Sequence, residues 1–96
     1  MAFMTNNIRT YIDGILHGPY KLFFANGELK QIGLFLNGRK HGRWTTYLRI
    51  NGKTYLGSDG VFIHGKKFGL WSIFTSKTTP PVQVNFWNGG EIAPKK

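Results

Sequence analysis

Two short clusters of basic side chains could do chemistry, Arg39, Lys40, His41 and Arg43 in one and Lys66 and Lys67 in the other. The chain carries thirteen Lys and Arg against four Asp and Glu, a formal charge of +9, so few acids are present to pair them. Cations so placed hold phosphates or carboxylates through charge-assisted hydrogen bonds. Catalytic chemistry is not readable beside them. There is no GxxxxGK[ST], HExxH, GxSxG or CxxC sequence, and Asp13, Glu28, Asp59 and Glu91 are too scattered to form an acid and base pair. His17 and His41 stand at like places, but strand spacing would set them ~10 Å apart, and no cysteine completes a zinc set. The expectation for them is a local hydrogen bond in a turn, or contact with an anion or a base edge. Neither an enzyme, a cofactor nor a metal is expected.

These residues belong to a heptapeptide, Gly-x-x-x-Gly-x-aromatic, that occurs three times: Gly14 to Tyr20, Gly38 to Trp44 and Gly65 to Trp71. A fourth copy begins at Asn88-Gly89, so the first glycines stand at 14, 38, 65 and 89, which is the period of stacked supersecondary units. The predicted repeats are residues 14–37, 38–64 and 65–88, with an N-terminal strand at 7–12 and a tail at 90–96. Asp13-Gly14, Asn26-Gly27, Asn37-Gly38, Asn51-Gly52 and His64-Gly65 are hairpin signals. Between them, residues 8–12, 20–25, 29–36, 44–50, 54–63, 70–75 and 82–87 read as strands. That is an all-β antiparallel meander of about seven short strands in one strongly twisted sheet, within a single domain over 1–96. The middle copy is longer, and a bulge or widened loop around Gly57 to Gly60 would absorb two of its extra residues.

Gly-x-x-x-Gly-x-aromatic units at this period, each followed by an Asn-Gly hairpin, resemble MORN repeats over roughly residues 7 to 89. The Asn-Gly-rich form is similar to the bacterial antitoxin-like variant of that family. The resemblance implies a scaffold that binds proteins or, in some members, acidic lipids. The third copy departs from it: Phe68 stands where His17 and His41 stand, Val84 replaces the glycine of Gly33 and Gly60, and Thr79-Pro80-Pro81 replaces Asn-Gly.

Alternation along a strand puts Tyr20, Leu22, Phe24, Trp44, Thr46, Leu48, Ile50, Trp71 and Ile73 on one face. Lys21, Phe23, Arg43, Thr45, Tyr47, Arg49, Leu70, Ser72 and Phe74 fall on the other, with Phe23, Tyr47 and Phe74 at one level. Such a sheet cannot cover both faces from 96 residues, so curvature, a second copy or a partner must do so. The hairpins alternate between two edges, and one edge collects Arg39, Lys40, His41, Arg43, Lys66 and Lys67 into a basic stripe.

The expected function is therefore binding. The leading expectation is an antitoxin-like or inhibitor-like adaptor that grips an acidic protein surface, with the basic stripe supplying charge and Phe23, Tyr47 and Phe74 anchoring. The alternatives are a sink for an anionic small molecule such as a nucleotide, in a phage or mobile-element setting, and non-specific association with nucleic acid or anionic lipid. No cysteine, no apolar run long enough to span a membrane and no signal-peptide pattern occur, so a cytoplasmic protein is expected, with homo-oligomers open.

Overall fold

The computed structural model describes residues 7–74, 81–87 and 90–91. The strands are β1 (Ile8–Ile12), β2 (Ile15–Phe23), β3 (Leu29–Leu36), β4 (Arg39–Ile50), β5 (Lys53–Ile63), β6 (Lys66–Ile73), β7 (Val82–Trp87) and the two-residue β8 (Gly90–Glu91). They form one antiparallel sheet in chain order, β1-β2-β3-β4-β5-β6-β7-β8. The sheet is not closed into a barrel. Its Cα envelope measures 55 × 39 × 12 Å, one layer thick, so the ladder does not roll back on itself to cover a face.

Four turns have positive φ at both central residues, near 50° at Asp13, Asn37, Asn51 and His64 and near 80° at the glycines after them. This geometry matches the twist of the flanking strands and explains why Asx-Gly stands at three of them, with His64-Gly65 at the fourth. The turn at Asn26-Gly27 is longer. Phe24 N–H donates to Glu28 O, Gly27 N–H to Phe24 O, and Glu28 N–H to the Asn26 side chain. The Asn88-Gly89 turn, Thr79-Pro80 and the Lys95-Lys96 tail lie outside the described residues.

The heptapeptides are not connections, as the expected strands 20–25, 44–50 and 70–75 made them, but the first halves of β2, β4 and β6. The strands run through the second glycine because it forms part of a bulge. Gly42, Arg43 and Trp44 stand opposite the single residue Gly33, and Gly69, Leu70 and Trp71 opposite Gly60. Gly42 and Gly69 take φ of 74° and 75°, a conformation that favours glycine. Two extra residues preserve the alternation, so the inward side chains stay inward. At Gly57 one extra residue, not the two expected between Gly57 and Gly60, shifts the register between the pairs Thr46 with Ser58 and Tyr47 with Leu56.

The register sorts side chains into a tryptophan face and a reverse face. On the first, Trp44 is 1% exposed and Trp71 2%, and they are the fully buried hydrophobics among the described residues. Each indole lies flat on a glycine of the preceding strand. A Cβ on Gly33 would stand 2.1 Å from the Trp44 ring, and one on Gly60 2.1 Å from Trp71. The indole N–H groups donate to Leu34 O at 3.0 Å and to Val61 O at 3.1 Å. Removing about 200 Å² of each indole from water contributes roughly 5 kcal/mol as an upper bound. These two plates form the core of a single-layer protein.

Candidate binding surface

Rings continue along the tryptophan face in an unbroken series. Tyr20 meets Phe35 at 5.0 Å, Phe35 meets Trp44 at 5.1 Å, Trp44 meets Phe62 at 6.3 Å, Phe62 meets Trp71 at 5.0 Å and Trp71 meets Phe86 at 6.3 Å between centroids. All five contacts are edge-to-face, the arrangement that ring quadrupoles favour. Two lysines lie on this series. Lys40 Nζ is 4.8 Å from the Trp44 centroid and 5.2 Å from Phe62, and Lys67 Nζ is 5.3 Å from Trp71 and 5.0 Å from Phe86. Each ammonium is held between two rings by cation–π attraction while its stem covers them. Arg9 lies 5.9 Å from the Tyr20 ring at the β1 end.

Burial pulls the Lys40 ammonium below its ordinary pKa, and the positive charge of Lys67 pushes it the same way. Two cations are thus held near enough to repel each other. Among the described side chains neither makes an ion pair; those pairs are Arg43 with Asp59 and Arg49 with Glu28, both at 2.8 Å. Both lie on the reverse face. Asp59 also accepts from the Thr45 hydroxyl at 2.6 Å. Burial raises the Asp59 pKa, but Thr45 and Arg43 outweigh it and hold the group below its usual range. Glu28 is lowered by the hydroxyl of Thr54, by Asn26 and by Arg49.

The basic cluster foreseen on one edge is therefore divided. Because Arg39, Lys40, His41 and Arg43 lie within β4, and Lys66 and Lys67 within β6, alternation sends them to opposite faces. Lys40 and Lys67 join the tryptophans, while Arg43 lies on the reverse face against Asp59. Arg39 and Lys66 pair with Leu36 and Ile63 beside the turns and are exposed. His41 Nδ1 accepts from His64 N–H at 3.5 Å, and His17 Nδ1 from Asn37 N–H at 3.0 Å, so these histidines tie each turn to the preceding repeat. Gly38 N–H to Leu16 O and Gly65 N–H to Lys40 O complete the ties.

The three anchors expected on one level do not meet. Phe23 and Tyr47 are half-buried on the reverse face with β3 between their strands. Phe74 follows the end of β6, donates its N–H to Gly57 O and stacks on Tyr55 at 5.5 Å and 20°. The sequence reading passed over Gly33 and Gly60 as partners of the indoles. A signal was present, since each stands eleven residues before its tryptophan, at 33 and 44 and at 60 and 71.

Among the described residues no three His, Cys, Asp or Glu side chains gather as a metal set, and no helix is long and apolar enough to cross a membrane. No protein-family model, curated protein or solved structure matches the chain.

Proposed function

We propose that the protein is a non-enzymatic binding module that grips an acidic protein surface with its tryptophan face. The observation that carries this is the pair Lys40 and Lys67, held on aromatic rings with no carboxylate among the described side chains bound to them. A partner carboxylate arriving there meets a partly desolvated cation, and pairing restores what burial took from it. The rings beneath are already packed edge to face, with both indoles buried, so little side-chain freedom is left to lose on contact. The repeat pattern supports an antitoxin-like or inhibitor-like adaptor of the MORN type, acting in the cytoplasm. Partner charge is the selective element in this reading, with Arg9, Arg39 and Lys66 steering from the periphery.

A second reading draws support from the repulsion between Lys40 and Lys67. One multiply charged anion, such as the phosphates of a nucleotide, relieves it by bridging both. The enclosed rings of Trp44 and Trp71 offer a base no free surface, so stacking in that reading falls to another aromatic.

The test is recovery of the protein from its own cells under gentle conditions, followed by native mass spectrometry, beside a Lys40→Glu, Lys67→Glu double variant of verified fold. The adaptor reading expects a stoichiometric complex with an acidic protein that persists at moderate salt and is lost in the double variant. A stoichiometric phosphorylated small molecule replaces it with the sink. Binding that ignores ligand identity and collapses with salt leaves only non-specific association.

A further inference from the structure

We infer that the reverse face packs against the same face of a second copy, giving a two-layer dimer with both tryptophan faces outward. The sheet is one layer, 12 Å thick in Cα positions, whereas stable domains bury a sheet face against a second layer. Its apolar exposure is lopsided. Ten large hydrophobics are exposed among the described residues, and the register puts seven on the reverse face. Leu34 at 39%, Ile63 at 38%, Leu70 at 62% and Trp87 at 66% lie there, with Trp87 against Phe68 at 5.0 Å.

The area fits a dimer. A compact protein of 10.9 kDa exposes about 5,600 Å², and this chain exposes 6763 Å². The excess over the whole chain, about 1,200 Å², is large enough to supply the ~800 Å² that each partner contributes to a standard interface.

Charge selects a second copy of this chain over other occupants. A chain of +9 repels itself, and it approaches itself at least cost where its charges are already compensated. That place is the reverse face, where Asp59 holds Arg43 and Glu28 holds Arg49. Ser72 and Gln83, also there, bond to each other at 2.8 Å. Lys21 stands opposite Ile8 on the β1 side, and Arg39 and Lys66 stand opposite Leu36 and Ile63 beside the turns, so the other cations of this face lie towards β1 and the turns and not beside Leu70, which pairs with Asn85. Two copies of one patch meet about a two-fold axis, the commonest arrangement of homodimers. The tryptophan face carries Lys40 and Lys67 without such compensation and stays outward.

Light scattering on a sizing column from about 1 to 100 µM, with sedimentation velocity beside it, tests this directly. The expected mass is twice the 10.9 kDa of the chain. Leu70→Lys, or independently Leu34→Lys, sets like charges against each other and weakens the dimer by at least about tenfold, with the sheet signature in circular dichroism retained. Lys40→Glu with Lys67→Glu leaves the mass at the dimer, so loss of the acidic partner and loss of the dimer are separate results. A monomeric mass over the whole range overturns the inference, even if some other protein is later found on this face. It is overturned equally by a dimer that survives both leucine variants and disappears with Thr10→Pro, which assigns association to the β1 edge.

Discussion

The two interior junctions of the ladder and its two ends are built from the same repeat, yet they solve different problems. Inside, Trp44 and Trp71 each need a neighbour without a side chain, and Gly33 and Gly60 supply it. At the ends the requirement lapses. Arg9 pairs with Tyr20, a smaller ring, and Val84 pairs with Trp71 from a strand that no further tryptophan follows. Gly33 and Gly60 are fixed by the ring above them, since no positive φ is recorded for either, whereas Gly42 and Gly69 are fixed by φ and have open space beside them. The lesson is that one residue type answers two distinct constraints within a single repeat.

Substituting the glycines breaks this comparison most sharply. Gly60→Ala and Gly33→Ala should each cost about 3 kcal/mol or more, because a methyl at 2.1 Å forces the indole off its seat. Val84→Ala should cost only about 1 kcal/mol. Urea unfolding of the three variants measures the contrast, and equal losses would show that the indole plates are not what holds the junctions.

The interior junctions also differ from each other. The residue before the junction glycine is Ile32 in the first and Asp59 in the second, where it accepts from Thr45 and Arg43 of β4, so an ionisable group stands beside the second junction glycine and an apolar one beside the first. The Asp59 pKa is lowered in the folded state, so its stabilisation is complete above the unfolded value near 3.8 and is lost as pH falls through the lower folded value. Asp59→Asn should cost about 1.5 kcal/mol at neutral pH and flatten that acid limb in thermal melts taken from pH 2 to 7. A limb unchanged in the variant assigns the acid sensitivity elsewhere.

Smaller effects come from the turn ties. His17→Ala removes the 3.0 Å bond to Asn37 and should cost about 1 kcal/mol, His41→Ala with its 3.5 Å contact less, both measurable by amide exchange at Asn37 and His64. The smallest expected change has the opposite sign. Leu16 occupies in the first repeat the place of Lys40 in the second, and Lys40→Leu copies it. Since the Lys40 pKa is lowered on folding, stability rises with pH between its folded value and 10.5, and removing the charge should raise the melting temperature slightly. A lowered melting temperature would mean that the cation–π contacts outweigh desolvation.

The hairpins were legible because Asp-Gly and Asn-Gly carry their geometry in two residues, and 29–36 and 82–87 were bounded as observed. The starts of β2, β4 and β6 were not. Gly18-Pro19 and Gly42 look like interruptions, and only pairing with the preceding strand makes such a glycine part of a bulge. That misplacement carried into the site, since cations read as turn residues share an edge while cations in strands separate by face. Asp59 was equally hidden. Its partnership with Arg43 spans two strands, and its register depends on the bulge at Gly57.

The lysines over the indoles have an optical consequence. A positive charge at 4.8 Å from one ring and 5.3 Å from another, with each indole N–H fixed to a carbonyl, sets the excited-state energy of Trp44 and Trp71. An anion that draws either ammonium away changes the emission of the ring beneath it. Occupancy of the tryptophan face can thus be followed as a colour change in the unlabelled protein.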